Sequence, residues 1–209
     1  MKRTFFFIPS FLLLFFFGAN AQDRKKILLS DLPDVEIYDV NGVHTTLHQL
    51  AKSKVLFIDC WFIPCPPCFI EMGALHKVYA AFADKDLCFI TICMTDSAQV
   101  KAFIRQDTVM KAYVSQYQYF SNLTAFTLPV YFMPGCSSKL PVGIRNLRHF
   151  APDDESKCPA VIFGFERYPT SMVFNKEGKR VFNETGFGKL DDYEQRLTKA
   201  LNDALSDGK

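Results

Sequence analysis

The chain has 209 residues, with 24 Lys+Arg against 22 Asp+Glu and seven cysteines. A charge this balanced offers no field for nucleic acid or an anionic membrane surface, and the length fits one globular domain with one core. An odd cysteine count leaves at least one thiol unpaired or pairing outside the chain.

Lys2 and Arg3 precede an apolar run over residues 5–18, and Ala19-Asn20-Ala21 follows it. The run is shorter than the roughly 20 residues that span a bilayer, so it reads as a secretory signal peptide cleaved after Ala21 rather than as an anchor. Residues 22–209 are then the expected mature domain. Removing Lys2 and Arg3 leaves that domain formally neutral, with 22 basic residues against 22 acidic ones. Export also places every cysteine where disulfides form and persist.

Residues 35–40 alternate, Asn41-Gly42 supplies a hairpin turn, and residues 43–47 form the expected second arm. The run from Lys54 to Phe62 shows no polar face until Asp59, as expected of a central strand covered on both sides. A helix is predicted from about Cys65 to Ala83, because Ile70, Ala74, Val78 and Phe82 recur at near-helical spacing. Residues 87–94 read as a second buried strand and 97–104 as the start of another helix, an order that implies parallel pairing of the two strands. Cys60, Cys88 and Cys93 fall inside apolar runs and read as buried thiols.

Residues 113–165 are rich in proline and mixed charge and show no clear element. Beyond them, residues 171–174 and 179–182 flank Asn175-Lys176-Glu177-Gly178 as a second hairpin. Residues 191–205 close the chain as an amphipathic helix with Tyr193, Leu197, Ala200, Leu201 and Ala204 on one side.

The chemistry is concentrated in Cys65-Pro66-Pro67-Cys68, placed where a strand passes into a helix. A sulfur at a helix N-terminus meets unpaired N–H groups and the positive end of the dipole, which favours thiolate, the form that attacks disulfides. Proline is tolerated in the first helical turn, where its missing N–H has no partner to lose. A structural zinc site would need a second Cys or His pair, and the remaining cysteines and His44, His48, His76 and His149 do not provide one. An inert structural disulfide is the other bland possibility.

In combination, the Asn41-Gly42 hairpin, the apolar strand with Trp61, Cys65-Pro66-Pro67-Cys68 and Tyr168-Pro169-Thr170 before Ser171-Met172-Val173-Phe174 resemble the thioredoxin superfamily. The resemblance is nearer to the exported reductases of the TlpA/ResA type, with their redoxin (AhpC/TSA-like) domain. It covers about residues 32–105 and 161–206. It implies an α/β thioredoxin-like fold, a central mixed sheet flanked by helices. It also implies a cis proline facing the dithiol, at Pro169, and a carboxylate base for Cys68. Asp59 stands where thioredoxins carry a buried aspartate, and Glu71 where TlpA/ResA-type reductases carry a glutamate. Asp59 is expected to lie buried under the dithiol, whereas Glu71 could also be an exposed first-turn acid that complements the helix dipole. The chain departs from the pattern at Pro64, which replaces a tryptophan, and in an insert of about 25 residues over 133–159. Cys136 and Cys158 bound that insert and are expected to form a disulfide that closes it.

The implied function is a periplasmic thiol-disulfide oxidoreductase. Cys65 would attack a disulfide-bearing protein, Cys68 would resolve the mixed disulfide, and a membrane thiol donor would return the electrons. No cofactor is implied, no nucleic acid is a partner, and the chain is expected to act as a monomer. The resemblance extends for some relatives to apocytochrome c as substrate. Two other readings compete. A copper chaperone could use Cys65 and Cys68 as soft ligands, with His149 as the one candidate histidine in the insert. A peroxiredoxin-like peroxidase would need a threonine where Phe62 stands.

Overall fold

The computed structural model describes residues 31–115, 126–140, 152–186 and 188–207. The expected signal peptide at 1–21 and the middle of the 133–159 insert lie outside the described residues.

The first hairpin joins β1 (Glu36–Asp39) to β2 (His44–Thr46). Asp39 fixes its turn by accepting the N–H groups of Asn41 at 2.8 Å and Val43 at 2.9 Å. Gly42 takes φ +84°, a conformation that costs glycine little. The second arm ends one residue earlier than expected. Thr46 leaves the strand to cap α1 (Leu47–Ala51), accepting Gln49 N–H at 3.2 Å while Thr46 N–H donates to Gln49 Oε1 at 3.3 Å. This reciprocal capping box, written as Thr46-x-x-Gln49, outweighs the continued alternation.

β3 (Val55–Trp61) lies inside a seven-stranded mixed sheet of order β2-β1-β5-β4-β3-β6-β7, where β4 is Leu87–Cys93, β5 Val130–Phe132, β6 Thr170–Phe174 and β7 Arg180–Thr185. It pairs parallel with β4 and antiparallel with β6, which continues into β7. All seven residues of β3 are buried. Their alternation divides the core. Phe57 and Trp61 pack toward α2 (Pro66–Ala81), α3 (Ser97–Ile104) and α6 (Leu190–Ser206), while Leu56, Ile58 and Cys60 pack toward α1 and α5 (Pro159–Phe163).

The stretch that looked empty of elements contains several. α4 (Thr108–Val114), capped by Asp107, overlaps its start, and β5 (Val130–Phe132), a 3-10 turn (Glu155–Lys157) and α5 lie within it. β5 bridges the sheet, parallel to β4 and antiparallel to β1. At three residues it is too short to display a period, and its pairing on both sides defines it.

Within the insert, Cys136 and Cys158 form a disulfide and are both buried. The neighbouring chain docks on the end of β4, with Ser138 N–H donating to Met94 O and Asp96 N–H donating to Ser138 O, each at 2.9 Å. Gln99 clamps Leu140 by donating to its carbonyl at 3.1 Å and accepting its N–H at 2.8 Å. Among the described residues, Cys60, Cys88 and Cys93 are free thiols, and no helix is long and apolar enough to cross a membrane.

Replacing both Cys136 and Cys158 by alanine should lower unfolding stability by about 3 kcal/mol, the chain-entropy value for a loop of this size. Urea denaturation of the oxidised protein measures it, and an unchanged midpoint would show that the tie contributes nothing.

Candidate active site

Cys65 and Cys68 form a disulfide at the start of α2. Cys65 is the N-cap, and Pro66 and Pro67 occupy the first turn. Because neither proline carries an N–H, the first donor of the helix belongs to Cys68, and it points at Cys65 Sγ at 3.3 Å. The arrangement places one backbone donor and the positive helix end on a single sulfur. In the reduced protein both favour a thiolate at Cys65. Exposure does not distinguish the two cysteines, since Cys65 is 3% exposed and Cys68 1%. The hydrogen bond does.

The chain before the dithiol is held from the side. Ile63 N–H donates to Thr95 Oγ1 at 2.7 Å, which ties the residues before Cys65 to the turn after β4 and so to the docked insert. Both Ile63–Pro64 and Tyr168–Pro169 are cis. Pro169 immediately precedes β6, and its carbonyl accepts Gly186 N–H at 2.9 Å. The neighbouring Tyr168 packs edge-on to Phe62, with ring centroids 5.4 Å apart, and donates its hydroxyl to Met94 Sδ.

Asp59 and Glu71 come together beneath this surface. Asp59 lies on the β3 face that looks toward α2 and α6, directly opposite Ser171 in the β3–β6 pairing. Glu71 lies one helical turn after Cys68 on α2, the spacing that puts two residues on one helix face. The Ser171 hydroxyl is 3.1 Å from Asp59 Oδ1, 3.0 Å from Glu71 Oε1 and 2.7 Å from the Tyr193 hydroxyl of α6. Glu71 is therefore not the exposed first-turn acid that the sequence also allowed. It is 1% exposed, as buried as Asp59.

Burial pushes the Asp59 carboxyl well above its usual range, and the neighbouring Glu71 adds to the rise. Burial likewise raises Glu71 to about 7, opposed by the hydroxyls of Tyr193 and Ser171. These are properties of a carboxyl poised to exchange a proton near neutrality. Ser171, Tyr193 and Thr95 were not singled out from the sequence as polar partners of the site. Ser171 opened an otherwise apolar strand and Tyr193 read as a core residue of the last helix. The one available signal was a hydroxyl on each in a register that faces Asp59.

A mixed sheet of this order, with a cystine capping the helix that follows its central strand, defines a protein of the thioredoxin superfamily. Residues 29–138 match the AhpC/TSA family. The chain is 22% identical over 184 residues to the thiol-disulfide oxidoreductase ResA of Bacillus thuringiensis (strain Al Hakam), covering 87% of this chain and 84% of the relative. The same figures hold for ResA of Bacillus anthracis. Among solved structures, the thioredoxin domain of a thiol-disulfide oxidoreductase from Bacteroides vulgatus shares the fold with a TM-score of 0.51 at 21% identity, covering 83% of this chain and 96% of that one. A thiol:disulfide interchange protein from Chlorobium tepidum TLS does so at 0.51 and 16% identity, covering 85% and 97%. The chain belongs to the AhpC/TSA family, and it is a thioredoxin-fold thiol-disulfide oxidoreductase.

The raised carboxyls fix the sign of the pH dependence of stability. Each binds its proton more tightly in the fold than in the unfolded chain, so stability is full in acid and falls as pH rises. For Glu71 the fall runs from its ordinary value of 4.5 to about 7. Denaturant midpoints of the oxidised protein across that window should decline in the wild type and less steeply in Glu71→Gln, where Asp59 alone still binds its proton more tightly in the fold.

Proposed function

We propose that this oxidoreductase reduces disulfides of protein substrates outside the cytoplasm, with Cys65 as the attacking and Cys68 as the resolving thiol. The observation that carries the reading is the hydrogen bond from the first free N–H of α2 to Cys65 Sγ. A thiolate there attacks one sulfur of the substrate disulfide, forms a mixed disulfide and releases the other substrate sulfur as thiolate. Cys68 then loses its proton, attacks Cys65 Sγ and frees the second substrate thiolate. Two electrons pass to the substrate, and the dithiol becomes the disulfide seen here.

The Cys68 proton goes to the Asp59/Glu71 pair. Glu71 Oε1 is anchored by Ser171, while Glu71 Oε2 is buried with no hydrogen-bond partner, which leaves it as the oxygen able to accept. Pro169, which the resemblance places facing the dithiol, presents no N–H that could compete for the sulfur. The dipeptide between the cysteines carries no charge, which supports a reducing couple over a strongly oxidising one.

The basic and apolar segment at 1–21 supports export, and with it a periplasmic location, a membrane thiol donor and exported protein substrates such as apocytochrome c. The chain is proposed to work as a monomer, without a cofactor. No observation favours the copper-chaperone reading, whose candidate histidine, His149, lies outside the described residues. Phe62 leaves the peroxidase reading without its hydroxyl.

Cys68→Ser should accumulate mixed disulfides through Cys65, visible as substrate adducts on non-reducing gels, whereas Cys65→Ser should form none. Adducts through Cys68 in the second variant would reverse the roles. Because Asp59 and Glu71 are equally buried, Asp59→Asn and Glu71→Gln should each slow the resolving step at neutral pH. The double variant should lose about 10²-fold, in the range of a general base, as read by stopped-flow reduction of a disulfide substrate. A double variant with wild-type rates would remove both carboxyls from the mechanism.

A further inference from the structure

Three oxygen contacts converge on one hydroxyl: Ser171 Oγ faces Asp59 Oδ1 at 3.1 Å, Glu71 Oε1 at 3.0 Å and Tyr193 Oη at 2.7 Å. Each contact needs one hydrogen. Ser171 supplies one, Tyr193 supplies another, and an ionised carboxylate supplies none. With both carboxyls ionised, one of the three contacts sets lone pair against lone pair in a buried site. With both protonated, a fourth hydrogen, on Asp59 Oδ2 or Glu71 Oε2, finds no acceptor among these atoms, and Glu71 Oε2 is itself buried without a partner. One carboxyl hydrogen satisfies all three.

We propose that Ser171 and Tyr193 are positioning residues that hold Asp59 and Glu71 as a carboxyl pair sharing a single proton in the oxidised protein. The elements around the pair fit this count. β3 gives Asp59, α2 gives Glu71, β6 gives Ser171 and α6 gives Tyr193. The further acid acting on Glu71 is Glu184 of β7, which is paired with Arg196 at 3.0 Å. Cys60 and Cys93, which interact with Asp59, stay thiols, burial pushing Cys93 up to about 12. Among the described residues, no lysine or arginine forms an ion pair with either carboxyl; the hydrogen-bond partner they have in common is the Ser171 hydroxyl. Desolvation raises both acids, as a shared proton requires.

The catalytic consequence rests on the dithiol chemistry proposed above. A pair that already holds one proton takes a second on an oxygen outside the three contacts, and Glu71 Oε2, on the helix that carries Cys68, is buried without a partner. The Cys68 proton binds there during resolution and leaves again to solvent before the next reduction. Ser171 thereby sets how readily the pair accepts that proton while touching neither sulfur nor substrate.

The test is a 13C NMR titration of the labelled carboxyls in the oxidised full chain from about pH 5 to about pH 9, which needs no substrate. The wild type should release one proton near neutrality, reported at both carboxyl resonances, and keep the second. Ser171→Ala removes a hydrogen donated to the carboxylate form and should raise the midpoint by about one pH unit, while Ser171→Thr, which restores a hydroxyl, should return it. Tyr193→Phe should raise it as well and serves if Ser171→Ala fails to fold. Two carboxyls titrating independently, release of two protons or of none, or a midpoint unmoved in these variants would overturn the proposal. A wild type that shows the shared step but reduces no disulfide would overturn the function above and leave the pair standing.

Discussion

β3 runs between β4 and β6 with every residue buried, so each of its side chains must be apolar or fully partnered, and Asp59 is where that requirement falls. A carboxyl in this position survives by hydrogen bonding and by keeping a proton. Ser171, directly across the antiparallel pair, answers the first need, and the raised affinity for protons answers the second. The same strand ends at Trp61, whose indole N–H donates to Thr91 on β4 at 3.1 Å, and this fixes the direction in which the chain leaves for Cys65. Site and core are therefore one construction.

Two opposed electrostatic conditions meet within the first two turns of α2. At Cys65 the helix end and the Cys68 N–H favour an anion. One turn deeper, burial at Glu71 disfavours an anion and holds a proton. The gradient runs from a sulfur that tends to lose its proton to the Glu71 carboxyl, which tends to bind one, with Cys68 between them in sequence. It gives the dithiol its asymmetry even though both sulfurs are nearly covered.

The two disulfides differ in what they constrain. Cys65–Cys68 closes a loop of sequence separation 3 inside a helix start that α2 already orders, so little chain entropy depends on it and it can open and close. Cys136–Cys158 spans a separation of 22, and among the described residues between them the one helical element is the 3-10 turn Glu155–Lys157. Its tie holds the segment that docks on Met94 and Asp96, flanking the threonine that receives Ile63 N–H. A feature that lies outside the resemblance in sequence thus reaches the approach to the active site.

Much of the fold could be read in the chain, because its signals are local. The apolar run over β3, the proline-tolerant helix start at Cys65, the hairpin turn at Asn41-Gly42 and the apolar side of α6 each follow from a short period or a single turn. The position of Cys65 and Cys68 at a strand-to-helix junction follows in the same way. What the sequence left open depended on partners far along the chain. β5 is three residues that become a strand only between β1 and β4. Whether Glu71 met water or Asp59 was undetermined, because a position near a helix start serves either use until another element covers it. Ser171 and Tyr193 lie 100 or more residues from Glu71, and only sheet register and the packing of α6 on α2 set the Ser171 hydroxyl against its carboxyl and the Tyr193 hydroxyl against Ser171. Hydrophobic period is written along the chain, whereas the pairing of buried polar atoms is decided where distant segments meet.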